Sequence, residues 1–366
     1  MSRLTFIQLR NLSGGSATIE PNSLIDCGGG VQIAGHGAGG GLAAISRTTD
    51  SWVATETTTK TWTGYERVKL HRRPSGRILA LVSGGGTGGG AGGTQDIWYS
   101  DDTGSTWTLA QVLCIAANNS GGQPSQPWSK STGGFLCVCL WEDVGGAFGD
   151  VTGKFWTSAN DGLTWTEAAY QFPGGSADNG GGLTCLETLS ATTAIFGTSK
   201  VGTLTTVDIF RTTDNFATAT SVFNAASGNF VSLIDLTNGN ILAGRRGPYL
   251  LRSTNVGATW TQIADLTALL GASGEPSVLS RLSAGVVGLG GQVQPAGFAI
   301  AATSEDGGVT WTRDDNTLAP LNGSTVLTAI IRADDGLVYG GGWSEDIVYR
   351  APWVFGVKQR ARGYVV

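Results

Sequence analysis

Imidazole chemistry in this 366-residue chain would have to come from two histidines, His36 and His71. Thiol chemistry would come from five cysteines, Cys27, Cys114, Cys137, Cys139 and Cys185, and their spacing contains no metal-ligand pair. A structural zinc site and a Ser-His-Asp machine therefore have little to draw on. The run GGGTGGGAGG at residues 84–93 satisfies Gly-x-Gly-x-x-Gly by composition alone. It lacks a following helix, a Lys-Ser/Thr ending and an acidic partner, and reads as a loop. The pairs Asp314-Asp315 and Asp334-Asp335 fall near turns without EF-hand spacing and read as solvated turn residues. No metal and no cofactor is expected. The odd cysteine count and the core-like segment FLCVCLW point to buried free thiols instead of a disulfide framework.

The pattern that does recur is a turn. Ser-x-Asp-x-Gly-x-Thr-Trp appears as SDDTGSTW at residues 100–107 and as SEDGGVTW at residues 304–311. Near-copies at 158–165 and 253–260 put Asn160 and Asn255 in place of the Asp, and worn copies RTTDSW and RTTDNF start at Arg47 and Arg211. An Asp or Asn at the third position accepts hydrogen bonds from the backbone N–H groups that follow, and glycine supplies the positive φ of a tight turn. Asp50, Asp102, Asn160, Asp214, Asn255 and Asp306 are accordingly read as structural acceptors. Trp107, Trp165, Trp260 and Trp311 are read as wedges between packed sheets.

Positioning these turns requires strands. DIWYS and KFWTS before the turn, and TWTLAQV and TWTEAAY after it, are rich in β-branched and aromatic residues with some alternation. Between turns come pairs of apolar segments, RVKLHR/RILALV, FVSLID/ILAGRR, PSVLSRL/VVGLGG and VLTAIIR/LVYGGG. The turns recur at roughly 40 to 60 residues, the spacing of four-stranded propeller blades, and DIVYR supplies a seventh unit. The expected fold is all-β, a seven-bladed β-propeller of four-stranded antiparallel blades. Residues 1–28 are expected to form an N-terminal arm or closing strand, 29–357 the propeller, and 358–366 a basic tail containing Lys358, Arg360 and Arg362. A terminal strand pairing with the opposite terminus would remove an exposed edge.

The two full turns resemble the Asp-box, or bacterial neuraminidase repeat, of sialidase-like β-propellers, and the periodicity extends the resemblance over nearly the whole chain. The resemblance implies boxes on the outer bottom rim and a binding face opposite them. It also implies an alternative function, a sialidase-like exo-glycosidase. That family clamps a carboxylate with three arginines, attacks with a Tyr activated by a Glu, and protonates the leaving group with an Asp. Arg67 is the nearest match to the first arginine, although Arg-Ile-Pro is here Arg-Val-Lys. Glu66, Arg245 or Arg246, Tyr249 and Asp143 complete the candidate set without a motif of their own. Xyloglucanase-like enzymes, sorting receptors and photosystem assembly factors carry the same repeat. They imply a second propeller, a membrane segment and a basic patch respectively, and none of the three is evident in the sequence.

Under the resemblance, the loops opposite the boxes are dominated by Gly and small polar residues, with His36, Tyr65, Trp128, Trp141, Glu142, Arg246 and Trp343 among them. Aromatic faces beside hydrogen-bonding groups suit sugars, so a cell-surface glycan or receptor is the expected ligand. A net charge of −5 leaves no electrostatic footprint for nucleic acid. No stretch approaches the ~20 apolar residues of a membrane helix, and the N-terminus lacks the apolar core of a secretory signal. Only 14% of residues are charged, against about 25% in an average soluble protein. A weakly charged Gly/Ser/Thr surface without a secretion signal suggests a protein assembled in a host cytoplasm and displayed later. The expected setting is a bacteriophage virion, tail or surface, with other virion proteins as partners and a homo-oligomer as one option. Export by a route without a classical signal peptide is the alternative.

Overall fold

A computed structural model of the chain describes residues 7–11, 18–38, 42–65, 67–83, 94–115, 136–143, 151–172, 183–198, 207–226, 230–237, 239–293, 298–313, 326–332, 337–343 and 347–352. Twenty-seven strands and one short helix are found among them. After β1 (Ile7–Asn11) the chain lays down a first sheet of β2 (Thr18–Gly28), β3 (Val31–Ala38), β4 (Leu42–Thr48) and β5 (Thr57–Thr63). The second is β6 (Arg67–Arg72), β7 (Ile78–Ser83), β8 (Thr94–Ser100) and β9 (Thr108–Ile115). The third has β10 (Leu136–Asp143), β11 (Val151–Ser158) and β12 (Thr166–Phe172) among the described residues. The fourth is β13 (Leu183–Thr188), β14 (Ala194–Thr198), β15 (Val207–Thr212) and β16 (Thr220–Ala225). The fifth is β17 (Phe230–Thr237), β18 (Asn240–Arg245), β19 (Tyr249–Ser253) and β20 (Thr261–Asp265), followed by α1 (Thr267–Leu270). The sixth is β21 (Glu275–Ser283), β22 (Val286–Val293), β23 (Phe298–Ser304) and β24 (Thr312–Arg313). The last joins β25 (Val326–Arg332), β26 (Leu337–Trp343) and β27 (Ile347–Pro352) to β1.

Every pairing within these sheets is antiparallel between chain neighbours, apart from β1, which pairs with β27 in the register Ile7 to Arg350. Short hairpins make this the local solution, since antiparallel strands need only a tight turn between them. The four apolar pairs singled out above are β6–β7, β17–β18, β21–β22 and β25–β26. A domain boundary at residue 28 does not follow the strands. Residues 18–28 are the inner strand of the first sheet and pair with β3, while residues 7–11 belong to the last sheet. Residues 358–366 lie outside the described residues.

The sheets stack side by side through their first strands. β2 packs beside β6 and β25, and β13, β17, β21 and β25 follow one another. Alternation along each strand sends successive side chains into opposite seams. Ile33, Ile45, Val68 and Ile78 fill the seam between the first two sheets. Leu79, Leu81, Ile97 and Trp165 fill the next, and Phe155, Phe196 and Phe216 the one after. Ile195, Phe230 and Trp260, then Leu242, Leu279 and Leu289, fill the two that follow. The core is thus a series of inter-sheet layers and not one central nucleus. The protein is an all-β β-propeller with four-stranded antiparallel blades.

Candidate functional site

The register divides the molecule into two rims. At one lie the repeated turns, joining two successive strands in each of six sheets, β4–β5, β8–β9, β11–β12, β15–β16, β19–β20 and β23–β24. In the turn at 100–107, Ser100 Oγ donates to Asp102 Oδ1 at 2.7 Å and accepts the Gly104 N–H at 2.8 Å. Asp102 then accepts from Thr106, its N–H at 2.9 Å and its hydroxyl at 2.7 Å. The indole Nε1 of Trp107 donates to the Gly104 carbonyl at 3.2 Å. The fourth and fifth residues both have positive φ, 55° at Thr103 and 79° at Gly104, the backbone signature of a type I′ turn. A β-carbon on Gly162 would sit 2.6 Å from Leu79 Cδ1 of the preceding sheet, and one on Gly257 2.6 Å from Ile195 Cγ2. Glycine therefore serves here both the turn and the close docking of one sheet on the next.

Arginines complete this rim. Arg47 Nε donates to the Thr103 carbonyl at 2.9 Å, and Arg211 Nε to the Val256 carbonyl at 2.8 Å. Each acceptor is the fourth residue of the next sheet's turn. At the following junction Arg73 Nε and Ser75 Oγ both donate to the Asp161 carboxylate at 2.6 Å. Burial works against the charged form of Asp161, yet the hydrogen bonds from Ser75 and Arg73 outweigh it and hold the carboxyl below its usual range. Gln111 acts similarly, donating through Nε2 to the Trp165 carbonyl at 3.1 Å and accepting the Trp165 N–H at 2.8 Å. These roles leave no mark in the residue pattern, because each spans two sheets.

The opposite rim holds the residues considered above for binding or catalysis. Arg67 pairs with Ser83, Asp143 with Val151 and Tyr249 with Asp265, each at the end of its sheet remote from the turn. Trp141, Glu142 and Trp343 occupy the same ends of the third and last sheets. Tyr65 follows β5 at that end of the first sheet. Trp128 and Glu66 lie outside the described residues, as do the side chains of Arg67, Trp141, Glu142, Asp143 and Trp343.

Three juxtapositions are seen among the described side chains at this rim. Arg246 Nε lies 3.1 Å from Glu275 Oε2 in a half-open ion pair. The Arg245 guanidinium carbon stands 5.4 Å from the ring centre of Tyr249, its cross-strand neighbour, and burial lowers the Arg245 pKa. Tyr65 donates its hydroxyl to Asp96 Oδ2 at 2.5 Å, and burial raises the Asp96 pKa against that hydrogen bond. Glu275 and Asp96 were not singled out from the sequence. Asp96 had a findable signal, since DIWYS ending at Ser100 matches DIFRT ending at Thr212, and Asp208 is likewise buried and bonded to Ser221 Oγ.

His36 is a correction. It is fully buried on β3, not exposed at a rim, with Nε2 3.0 Å from Ser46 Oγ, which donates to Glu56 Oε1 at 2.8 Å. Strand periodicity faces His36 into the seam toward the last sheet, away from Ile33. Burial pushes its pKa down to about 4, only partly offset by Glu56, so the imidazole is neutral near pH 7. The thiols of Cys27 and Cys185 are free, pushed up by burial to about 11 and about 12. Such thiols are protonated and poor nucleophiles.

No family model and no curated protein matches the chain. Solved structures do. YCF48 bound to D1 peptide superposes with a TM-score of 0.58 at 15% identity, over 98% of this chain and 97% of that one. YCF48 from Cyanidioschyzon merolae gives 0.57 at 12% identity, over 94% and 98%. The GH74 xyloglucanase from Xanthomonas campestris gives 0.63 at 13% identity, covering 98% of this chain but 55% of the enzyme. At these identities the likeness concerns the fold, and it agrees with the propeller described above.

Proposed function

We propose that this chain is a seven-bladed, sialidase-like propeller with Asp-box turns that binds a ligand on the rim opposite those turns and does not hydrolyse it. The observation that carries this reading is the division of labour between the rims. Arg47, Arg73, Arg77 and Arg211 are engaged with neighbouring turns, so their charges serve the scaffold. At the other rim the register brings Tyr65, Trp141, Glu142, Arg246, Tyr249 and Trp343 to the remote ends of their sheets. Aromatic residues interspersed with hydrogen-bonding groups suit a glycan, which offers C–H faces for stacking and hydroxyls for polar contacts. Arg246 already has Glu275 as its partner, which supports a role in orienting polar groups over one in clamping a carboxylate alone.

The setting we propose is the surface of a bacteriophage particle, tail or capsid, where the same rim would face a host receptor or glycan and the protein would contact other virion proteins. The low charge content and the Gly-rich loops support display outside a cell. A broad glycan array that includes fluorogenic sialosides tests the reading. Retention without release is expected. Release of sugar that disappears in Arg67→Ala would establish the exo-glycosidase alternative. Absence of both would leave a scaffold with protein partners.

A further inference from the structure

Between β5 and β8, in the seam of the first two sheets and adjoining the Tyr65–Asp96 pair of the turn-remote rim, a group of side chains has a second chemistry. The indoles of Trp62 and Trp98 meet edge to face with centroids 5.6 Å apart. Lys60 places Nζ 4.1 Å from the Trp98 ring centre and 5.8 Å from that of Trp62. Strand periodicity sets Lys60 and Trp62 on one face of β5, and Asp96 and Trp98 on one face of β8. Asp96 is 6% exposed. Its Oδ2 takes the Tyr65 hydroxyl, and the Trp98 indole together with that hydroxyl favours its charged form against burial.

A buried carboxylate is costly unless a positive charge compensates it. Indole faces attract cations through their quadrupole, most strongly for weakly hydrated cations such as quaternary ammonium groups. A lysine ammonium is compact and strongly hydrated on a flexible stem, and so is a poor match for two indole faces. Lys60 is half-buried on an outer strand among threonines and can turn toward water without disturbing the ladder. We propose that Trp62, Trp98, Tyr65 and Asp96 form a binding site for a trimethylammonium group, with Lys60 as its built-in competitor. The site shares Tyr65 with the turn-remote rim, and the choline titration reads it without reference to the ligand proposed there.

Titration of the full chain with choline chloride at constant ionic strength, read by tryptophan fluorescence and calorimetry, tests it. Weak saturable binding is expected for the unmodified protein, and binding about tenfold tighter for Lys60→Ala, which vacates the indole faces. Adding Asp96→Asn to Lys60→Ala should lose that gain. The neutral isostere 3,3-dimethyl-1-butanol should bind at least tenfold more weakly than choline, a comparison that stands even if the double variant does not fold. Sedimentation with phosphatidylcholine vesicles against phosphatidylglycerol vesicles separates a lipid headgroup from a free quaternary amine. Equal binding by Lys60→Ala and the unmodified protein, equal binding of the neutral isostere, or no saturable signal in either protein would overturn the proposal.

Discussion

The turns at 48–55 and 212–219 solve the same docking problem as the other four in a different way. In the turns at 100–107, 158–165, 253–260 and 304–311, the fifth residue is glycine and the eighth is a tryptophan whose indole donates back to that glycine's carbonyl. A side chain of the preceding sheet then fills the space over the glycine. In the two others, Trp52 and Phe216 occupy the fifth position, with φ of 63° and 61°, and both are fully buried. The ring enters the seam from the turn itself. Phe216 stacks on Phe155 of the preceding sheet with centroids 4.3 Å apart. A left-handed backbone costs a non-glycine residue roughly 1–2 kcal/mol. Burying a large aromatic side chain is worth more than that. The comparison shows that what must be conserved at each junction is a filled contact between turn and neighbouring sheet, by either a glycine that yields space or a ring that occupies it.

The sharpest way to break the comparison is to remove a ring. Phe216→Ala should cost about 3–5 kcal/mol, because it empties the space beside Phe155 and Phe196 and leaves an alanine with positive φ. Denaturant unfolding read by tryptophan fluorescence measures this. A loss below about 1 kcal/mol would mean that the seam collapses around the missing ring. Filling the space at a glycine turn is the converse. Gly257→Ala places a β-carbon 2.6 Å from Ile195 Cγ2 at a φ of 76°, and should cost about 2–4 kcal/mol from overpacking and backbone strain together. If that variant is as stable as the parent, the glycine serves the turn alone.

This contrast also explains what could be read from the residues beforehand. Strand pairs such as β6–β7 and β17–β18 were legible because each is local, apolar and bounded by turn residues. The acceptor role of Asp102 or Asn160 was legible because its partners lie within four positions. Trp52 and Phe216 were read only as worn copies, since an aromatic residue with positive φ is improbable until the neighbouring sheet is known. The arginine contacts from Arg47 and Arg211, the burial of His36 and the Tyr65–Asp96 pair failed to register for the same reason: each depends on a second sheet or on depth. Small polar loops and scattered aromatics on the turn-remote rim carry no periodic signal, so a ligand could be guessed there only from residue type.

A second division, between carboxylate turns and amide turns, has a smaller effect per turn and shows in acid. Burial opposes ionisation of Asp50, Asp102 and Asp306, but the hydrogen bonds each accepts bring it to about 2. Asp214 is held at about 2 by the Thr218 hydroxyl and N–H and by Thr212. With an unfolded value near ~3.9, the folded state holds fewer protons in this range. The stabilisation is complete above about pH 4 and is lost as pH falls toward about 2. His36, lowered to about 4 from an unfolded value near ~6.5, contributes in a separate window, with stability lost as pH falls from about 6.5 to about 4. Urea midpoints collected from pH 8 to pH 2 should fall in two stages, and His36→Gln should remove the upper one. One flat stage down to pH 4 would contradict the burial of a neutral imidazole.

The smallest effect is the most specific test of how the turns work. In Asp102 the second oxygen accepts from the Thr106 hydroxyl at 2.7 Å. In Asn160 the side-chain nitrogen instead donates to the Thr164 hydroxyl at 2.8 Å, and Asn255 does the same with Thr259 at 2.9 Å. The threonine hydroxyl reverses its role, while the third-position oxygen still takes the backbone N–H at 2.9 Å in both cases. A hydroxyl rotates to suit either partner. Asp102→Asn should therefore change stability near pH 7 by less than about 1 kcal/mol, whereas Asp102→Ala, which leaves the turn's donors without their acceptor, should cost about 1–3 kcal/mol. The Asn variant should also lose that turn's share of the acid stage, and Asn255→Asp should add one. If Asp102→Asn were instead as damaging as Asp102→Ala, the charge and not the hydrogen-bond geometry would hold the turn, and the two amide turns would need another source of rigidity.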